Sequence, residues 1–130
     1  MTTTDPSNRY HRILVGSSTE TLDAALIIGR RPSSHRIERR GDPRLVTVRS
    51  PRNEVSATHV EIRQEGTAVV VTDLKSTNGT RVTIPGRLPV ALRQGESIVV
   101  LVGTIVDIGD GNRLEVLPTT RSIPQEESIP

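Results

Sequence analysis

The residues best suited to chemistry fall in three short polar groups. Gly29-Arg30 comes first, then Ser56-Ala57-Thr58-His59, then Asp73-Leu74-Lys75-Ser76-Thr77-Asn78-Gly79-Thr80. A guanidinium is a permanent cation whose planar fork fits two phosphate oxygens. Serine and threonine hydroxyls donate to such oxygens, and a primary amide such as Asn78 offers a peptide backbone both donor and acceptor. These types suit holding a phosphate group better than breaking a bond. Ser56, His59 and Asp73 do supply the three residue types of a nucleophilic triad. No glycine elbow precedes Ser56 and no oxyanion-hole motif accompanies it, so no catalytic residue is assigned.

Each group also has a plain structural explanation. Arg30 reads as a surface arginine after a turn, and Ser56 as a turn-initiating hydroxyl. His59 reads as a structural histidine that supports the loop through its backbone. Asn78-Gly79, lying between two β-runs, is the usual signature of a tight hairpin. His11, His35 and His59 lack metal-ligand spacing and no carboxylate cluster joins them, so no metal is expected. No glycine-rich phosphate loop opens a helix, so neither a nucleotide nor any other cofactor is expected.

These groups must be held by β-structure. Short aliphatic runs alternate with turn signals, and no stretch keeps a helical period with caps. Strands are expected over Arg12 to Val15, Ala25 to Ile28, Leu45 to Val48, His59 to Gln64, Thr67 to Asp73 and Thr80 to Ile84. Three more are expected over Ser97 to Val102, Thr104 to Ile108 and Arg113 to Leu117. Glu65-Gly66 and Asp110-Gly111 mark hairpins. Many short strands at regular spacing predict an all-β sandwich. Its core must be aliphatic, because Tyr10 is the only aromatic residue.

Composition narrows the classes further. The chain has 130 residues, enough for one domain with a working core. Its formal charge is only +2 and it has one tyrosine, so neither a strong field nor base-stacking platforms favour nucleic acid. There is no cysteine, and no apolar run is long enough to span a bilayer. The N-terminus lacks the layout of a signal peptide, so the chain reads as soluble and cytoplasmic. Lys75 is the only lysine among 17 basic residues, a bias that fits a GC-rich bacterial genome.

Residues 1–9 and 118–130 read as flexible tails around a domain at 10–117. Residues 31–44 form a long, proline-bounded basic loop, expected on the same edge as Gly29-Arg30. It is either a solvated insertion or a specificity loop in which Arg36, Arg39 and Arg40 read acidic partners.

Taken in order, the three groups resemble the forkhead-associated (FHA) domain, whose pattern is Gly-Arg, then Ser-x-x-His, then Asp-x-x-Ser-Thr-Asn-Gly-Thr. The resemblance covers roughly Arg12 to Leu117. It implies an FHA-like β-sandwich of about 11 strands with its binding loops at one end. It implies recognition of phosphothreonine in a partner protein or peptide downstream of a Ser/Thr kinase. By position, Arg30 and Ser56 would contact the phosphate, Thr77 would assist, and Asn78 would hold the peptide main chain. Gly29, His59 and Gly79 would shape the loops.

Two departures from the pattern stand out. Ala57 occupies a position often polar in the family, which removes one contact and keeps open a phosphate-independent scaffold or assembly role. Arg30 and Ser56 are also 26 positions apart, more than in compact members, and the 31–44 segment accounts for the excess. Thr2, Thr3, Thr4, Thr119 and Thr120 in the tails, if phosphorylated, could enter the chain's own site and drive self-association.

Overall fold

Valine, isoleucine and leucine fill the interior, and their β-branched shapes set the architecture. The computed structural model describes residues 9–34 and 42–120. Eleven strands form two sheets: β1 (Tyr10–Val15), β2 (Ser18–Thr21), β3 (Leu26–Gly29), β4 (Arg44–Thr47), β5 (Val60–Glu65), β6 (Ala68–Asp73), β7 (Thr80–Thr83), β8 (Val90–Leu92), β9 (Ser97–Val100), β10 (Ile105–Gly109) and β11 (Asn112–Thr120). One sheet has the order β2-β1-β11-β10-β7-β8, the other β4-β3-β5-β6-β9. The expected all-β sandwich is therefore the fold. Among the described residues no helix is long and apolar enough to cross a membrane.

Alternation explains which face packs inward. In β5, Val60 and Ile62 are fully buried while Glu61 and Arg63 point out. They meet Ile13, Leu26, Ile28, Val71 and Val82 in a dry aliphatic core. Val55 is also fully buried, although it lies in the loop before β5. It plugs that loop into the core and fixes the position of Ser56 beside it.

Two turns behave differently from each other. Asp110 and Gly111 both adopt positive φ, +51° and +77°, as the tight β10–β11 hairpin requires. Asn78-Gly79 is not a hairpin: β6 and β7 belong to different sheets, so this turn carries the chain across the sandwich.

β3 and β4 pair in parallel, Leu26 with Arg44 and Gly29 with Thr47. Their connection must therefore start at one end of the sandwich and finish at the other. This corrects the expectation that the whole 31–44 segment lies on the Gly29-Arg30 edge. Arg44 starts a strand, and its guanidinium bonds the Thr21 carbonyl (2.8 Å) and Asp23 (3.1 Å). Arg36, Arg39 and Arg40 lie outside the described residues, as do Thr2, Thr3 and Thr4. β11 runs on to Thr120, so Thr119 and Thr120 belong to a strand that pairs with β1.

Candidate functional site

Three loops meet at the end of the sandwich where β3 finishes and β5 begins. Gly29 makes their close approach feasible. A Cβ at this position would lie 2.0 Å from the Ala57 carbonyl oxygen and 2.9 Å from that of Ser56. The two segments are laced by main-chain bonds, Arg30 N–H to Ser56 O (3.1 Å) and Arg31 N–H to Ala57 O (3.0 Å).

Arg30 is half-buried and aimed by this lacing. Its Nε–H donates to the Val55 carbonyl at 2.8 Å. Neither terminal amino group has a partner among the described residues, and no carboxylate lies in salt-bridge range. Its neighbour across the lacing, Ser56, accepts the Thr77 N–H on Oγ at 3.0 Å. That leaves the Ser56 hydroxyl proton free to donate outward. Thr77 is exposed, and with its N–H engaged it offers its own hydroxyl. Asn78 is exposed as well and donates through Nδ2 to the Glu54 carbonyl at 2.9 Å. This bond fixes the amide and leaves its oxygen facing solvent. The site therefore presents an uncompensated cation, hydroxyls and one amide.

Beneath it, His59 joins two loops and is fully buried. Its Nδ1 accepts the Ser56 N–H at 3.0 Å, so the proton must sit on Nε2, which donates to the Gly79 carbonyl at 2.8 Å. Burial, the largest cause, lowers its pKa below the ordinary 6.5, against smaller raising contributions from the Gly79 carbonyl and Asp73. Protonating Nδ1 would destroy an acceptor. The unfolded chain takes up this proton near pH 6.5, while the folded chain resists it until lower pH. The His59 contribution to stability is therefore constant above about pH 6.5 and falls below it as the folded pKa is approached. Melting temperatures of the peptide-free domain between pH 7.5 and 5, compared with His59→Gln, are expected to show this slope in the parent only. Working without peptide removes the phosphate's own titration near pH 6.

Asp73 organises the third loop and is also fully buried. Its carboxylate accepts the Ser76 N–H (3.0 Å), the Ser76 hydroxyl (2.5 Å) and the Thr80 hydroxyl (2.7 Å). Ser76 Oγ in turn accepts the Gly79 N–H at 2.9 Å. Gly79 has φ +86°, which its lack of a side chain permits. Ser56, His59 and Asp73 thus make no relay: the histidine bonds a serine amide and not its hydroxyl, and the aspartate serves Ser76 and Thr80. Thr58 is likewise assigned a place, its Oγ1 accepting the Ser33 N–H at 3.2 Å. Among the described residues no cluster of His, Asp or Glu could hold a metal ion.

Sequence reasoning missed a brace behind the site. Asp110, in the hairpin turn of the opposite sheet, accepts the Ser50 hydroxyl and the amides of Arg52 (3.2 Å) and Glu54 (3.1 Å). Ser50 Oγ then accepts the Val55 N–H at 2.9 Å, and Glu54 accepts the Asp110 N–H at 2.6 Å. The Ser50 hydroxyl, helped by these amides, holds the Asp110 carboxyl below the ordinary range. Val55 and Glu54 supply the carbonyls that orient Arg30 and Asn78, so this brace sets the site from behind. Asp110→Ala is expected to weaken ligand binding and speed hydrogen exchange at the Glu54 and Val55 amides. Exchange rates that do not change would show the brace to be dispensable. The only sequence signal was Asp110-Gly111 itself, which reads simply as a turn.

A groove of about 420 Å³ opens beside Asn78, lined by Glu54, Arg81, Ala91, Asp107 and Ile108. It adjoins the site through Asn78 and Gly79.

A family model for the FHA domain matches residues 26–109. The chain belongs to the FHA domain family. Among solved structures it is similar to Mycobacterium tuberculosis EmbR in complex with a low-affinity phosphopeptide, at 21% identity and TM-score 0.59. That match covers 88% of this chain but only 26% of EmbR. It is similar to the FhaA FHA domain, solved with the intracellular domain of another protein, at 25% identity and TM-score 0.54, covering 82% of this chain and 98% of that one. A third match is the MEK1 FHA domain in complex with the HOP1 pThr318 peptide, at 16% identity and TM-score 0.57, covering 83% and 95%. No curated protein matches the chain at a significant level. Within this FHA domain, the three motif groups lie inside the matched span and their loops converge at one end of the sandwich.

Proposed function

We propose that this FHA domain is a phosphothreonine-peptide recognition module that links partners in a phosphorylation-dependent way. One observation carries the reading: Arg30 is anchored through Nε, yet its remaining amino groups meet no counter-ion among the described residues. A phosphate with nearly two negative charges and three strong acceptors supplies what the guanidinium lacks. Ser56 and Thr77 add hydroxyl donors, and Asn78 holds the peptide main chain. Related domains solved with phosphopeptides, one of them carrying phosphothreonine, support the assignment.

The domain acts here as a cytoplasmic binding module and not an enzyme, downstream of a kinase that phosphorylates threonine. Preference for phosphothreonine over phosphoserine depends on a slot for one methyl group, worth roughly 1–3 kcal/mol. Matched peptide libraries bearing phosphothreonine, phosphoserine or threonine test the reading. Selective capture of phosphothreonine peptides is expected, and equal capture of threonine peptides would refute it. Arg36, Arg39 and Arg40 are proposed to favour acidic residues near the phosphothreonine. Neutralising all three should weaken acidic peptides more than neutral ones, whereas equal losses would remove this role.

A further inference from the structure

The two sheets have four edges, and three carry the usual protection against further pairing. β2 is the polar run Ser-Thr-Glu-Thr. β4 begins at Arg44, whose ion pairs with Glu20 (3.9 Å) and Asp23 (3.1 Å) clasp it to the neighbouring sheet. β8 has three residues and follows Pro89. β9 has no such device: Ser97-Ile98-Val99-Val100-Leu101-Val102 contains no charge and no proline. Three of the six large apolar residues exposed among the described residues lie on this edge or directly after it: Val99, Leu101 and Val102. Val99 is 59% exposed and Leu101 56%.

The ladder shows what this edge offers. Val71 pairs with Ile98 and Thr72 with Ser97, and the Asp73 N–H bonds the Glu96 carbonyl at 2.9 Å. In an antiparallel ladder this phase turns the main-chain groups of Ile98 and Val100 toward β6 and those of Ser97 and Val99 outward. Thr104 takes both the N–H and the carbonyl of Leu101, which closes the ladder there. The open donors and acceptors are therefore centred on Val99.

We infer that this edge is a self-association surface, on which a second copy of the chain lays its own β9 antiparallel across a two-fold axis at Val99. The strand is its own complement. Val99 meets Val99 of the second copy in a doubly bonded pair, and Leu101 reaches over the other copy's Ser97. Glu96 falls opposite Val102, so no charge meets a like charge. A two-fold contact is isologous and closes at two copies, which also covers the edge against open-ended pairing.

The arrangement has a consequence for binding, which rests on the phosphopeptide reading, although the association itself does not. β9 begins at the site end, where the Gly95 N–H bonds the Asp73 carbonyl and Gln94 bonds that of Ser76. Antiparallel pairing then points the two sites in opposite directions. The dimer bridges two phosphorylated chains and does not grip two marks on one short segment.

Sedimentation equilibrium of the chain from about 10 μM to about 1 mM tests the proposal. The parent is expected to rise toward twice the monomer mass. Val99→Lys and Val99→Pro should stay monomeric, because the first adds repelling charges and the second removes the outward N–H. Main-chain pairing with β6 should survive both, since the Val99 N–H points away from β6 and its side chain, opposite Val70 on the outer face of the sheet, is already mostly exposed; unchanged melting at low concentration checks this. Both variants should keep the parent's affinity for phosphothreonine peptide per site. A parent that is monomeric throughout overturns the inference, as does a dimer that survives both substitutions. Val90→Lys on β8 should dimerise normally, and loss of the dimer in that variant alone would move the contact off β9.

Discussion

Arg30→Ala is expected to cost the domain nearly all of its phosphopeptide affinity. The loss should be on the order of 2–5 kcal/mol, about thirtyfold to several thousandfold in Kd. The reason is geometric as much as electrostatic. Arg30 leaves a strand whose last residue is pressed against Ala57, and its Nε is held by the Val55 carbonyl. The guanidinium thus reaches the phosphate already oriented, and little rotamer entropy remains to be lost on binding. Arg30→Lys retains the charge but loses the Nε anchor and the two-pronged donor. Its affinity should fall between those of the parent and the alanine variant. Titration calorimetry at fixed ionic strength gives the ranking, and thermal melts establish that each variant is folded. Full affinity in folded Arg30→Ala would remove Arg30 from the site and leave the proposed function without its central contact.

What could be read from the sequence was local, and what could not was pairing. Val60 and Ile62 alternate with Glu61 and Arg63, and that alternation is the face of β5. Asp110-Gly111 specifies its own turn through two positive φ values. The three polar groups were also legible, because a site built from loop tips writes its residues in short contiguous runs. β2 was missed because Ser18–Thr21 contains no large apolar residue and owes its place to main-chain bonding with β1. β8 was missed because it has only three residues. Asn78-Gly79 gives the same local signal in a hairpin as in a crossing between sheets. Only the partners of β6 and β7 tell the two apart. The parallel β3–β4 pair and the Asp110 brace depend on residues far apart in sequence, such as Ser50 and Asp110, and no short window contains both.

Gly29→Ala is expected to be nearly as damaging as loss of Arg30, although Gly29 touches no ligand. All three atoms nearest its missing Cβ are backbone: Ala57 O at 2.0 Å, Ala57 C at 2.7 Å and Ser56 O at 2.9 Å. Backbone cannot rotate aside as a side chain can, so one of the two segments must move. The same carbonyls accept the N–H groups of Arg30 and Arg31, so moving them breaks the lacing that aims the guanidinium. Overpacking of this kind costs about 1–3 kcal/mol of stability, and more where hydrogen bonds are lost with it. Peptide affinity should fall together with melting temperature. Gly66→Ala is the matching control. It lies in the β5–β6 turn at φ +64° with nothing within 4 Å of an added Cβ, so it carries only left-handed strain of about 1 kcal/mol. It should lower the melting temperature slightly and leave affinity unchanged. Two glycines would then be separated by mechanism, one needed for its backbone angle and the other for the space it leaves. If Gly29→Ala instead matched the parent in both measurements, the close approach of β3 to the Ser56 loop would not be what positions Arg30.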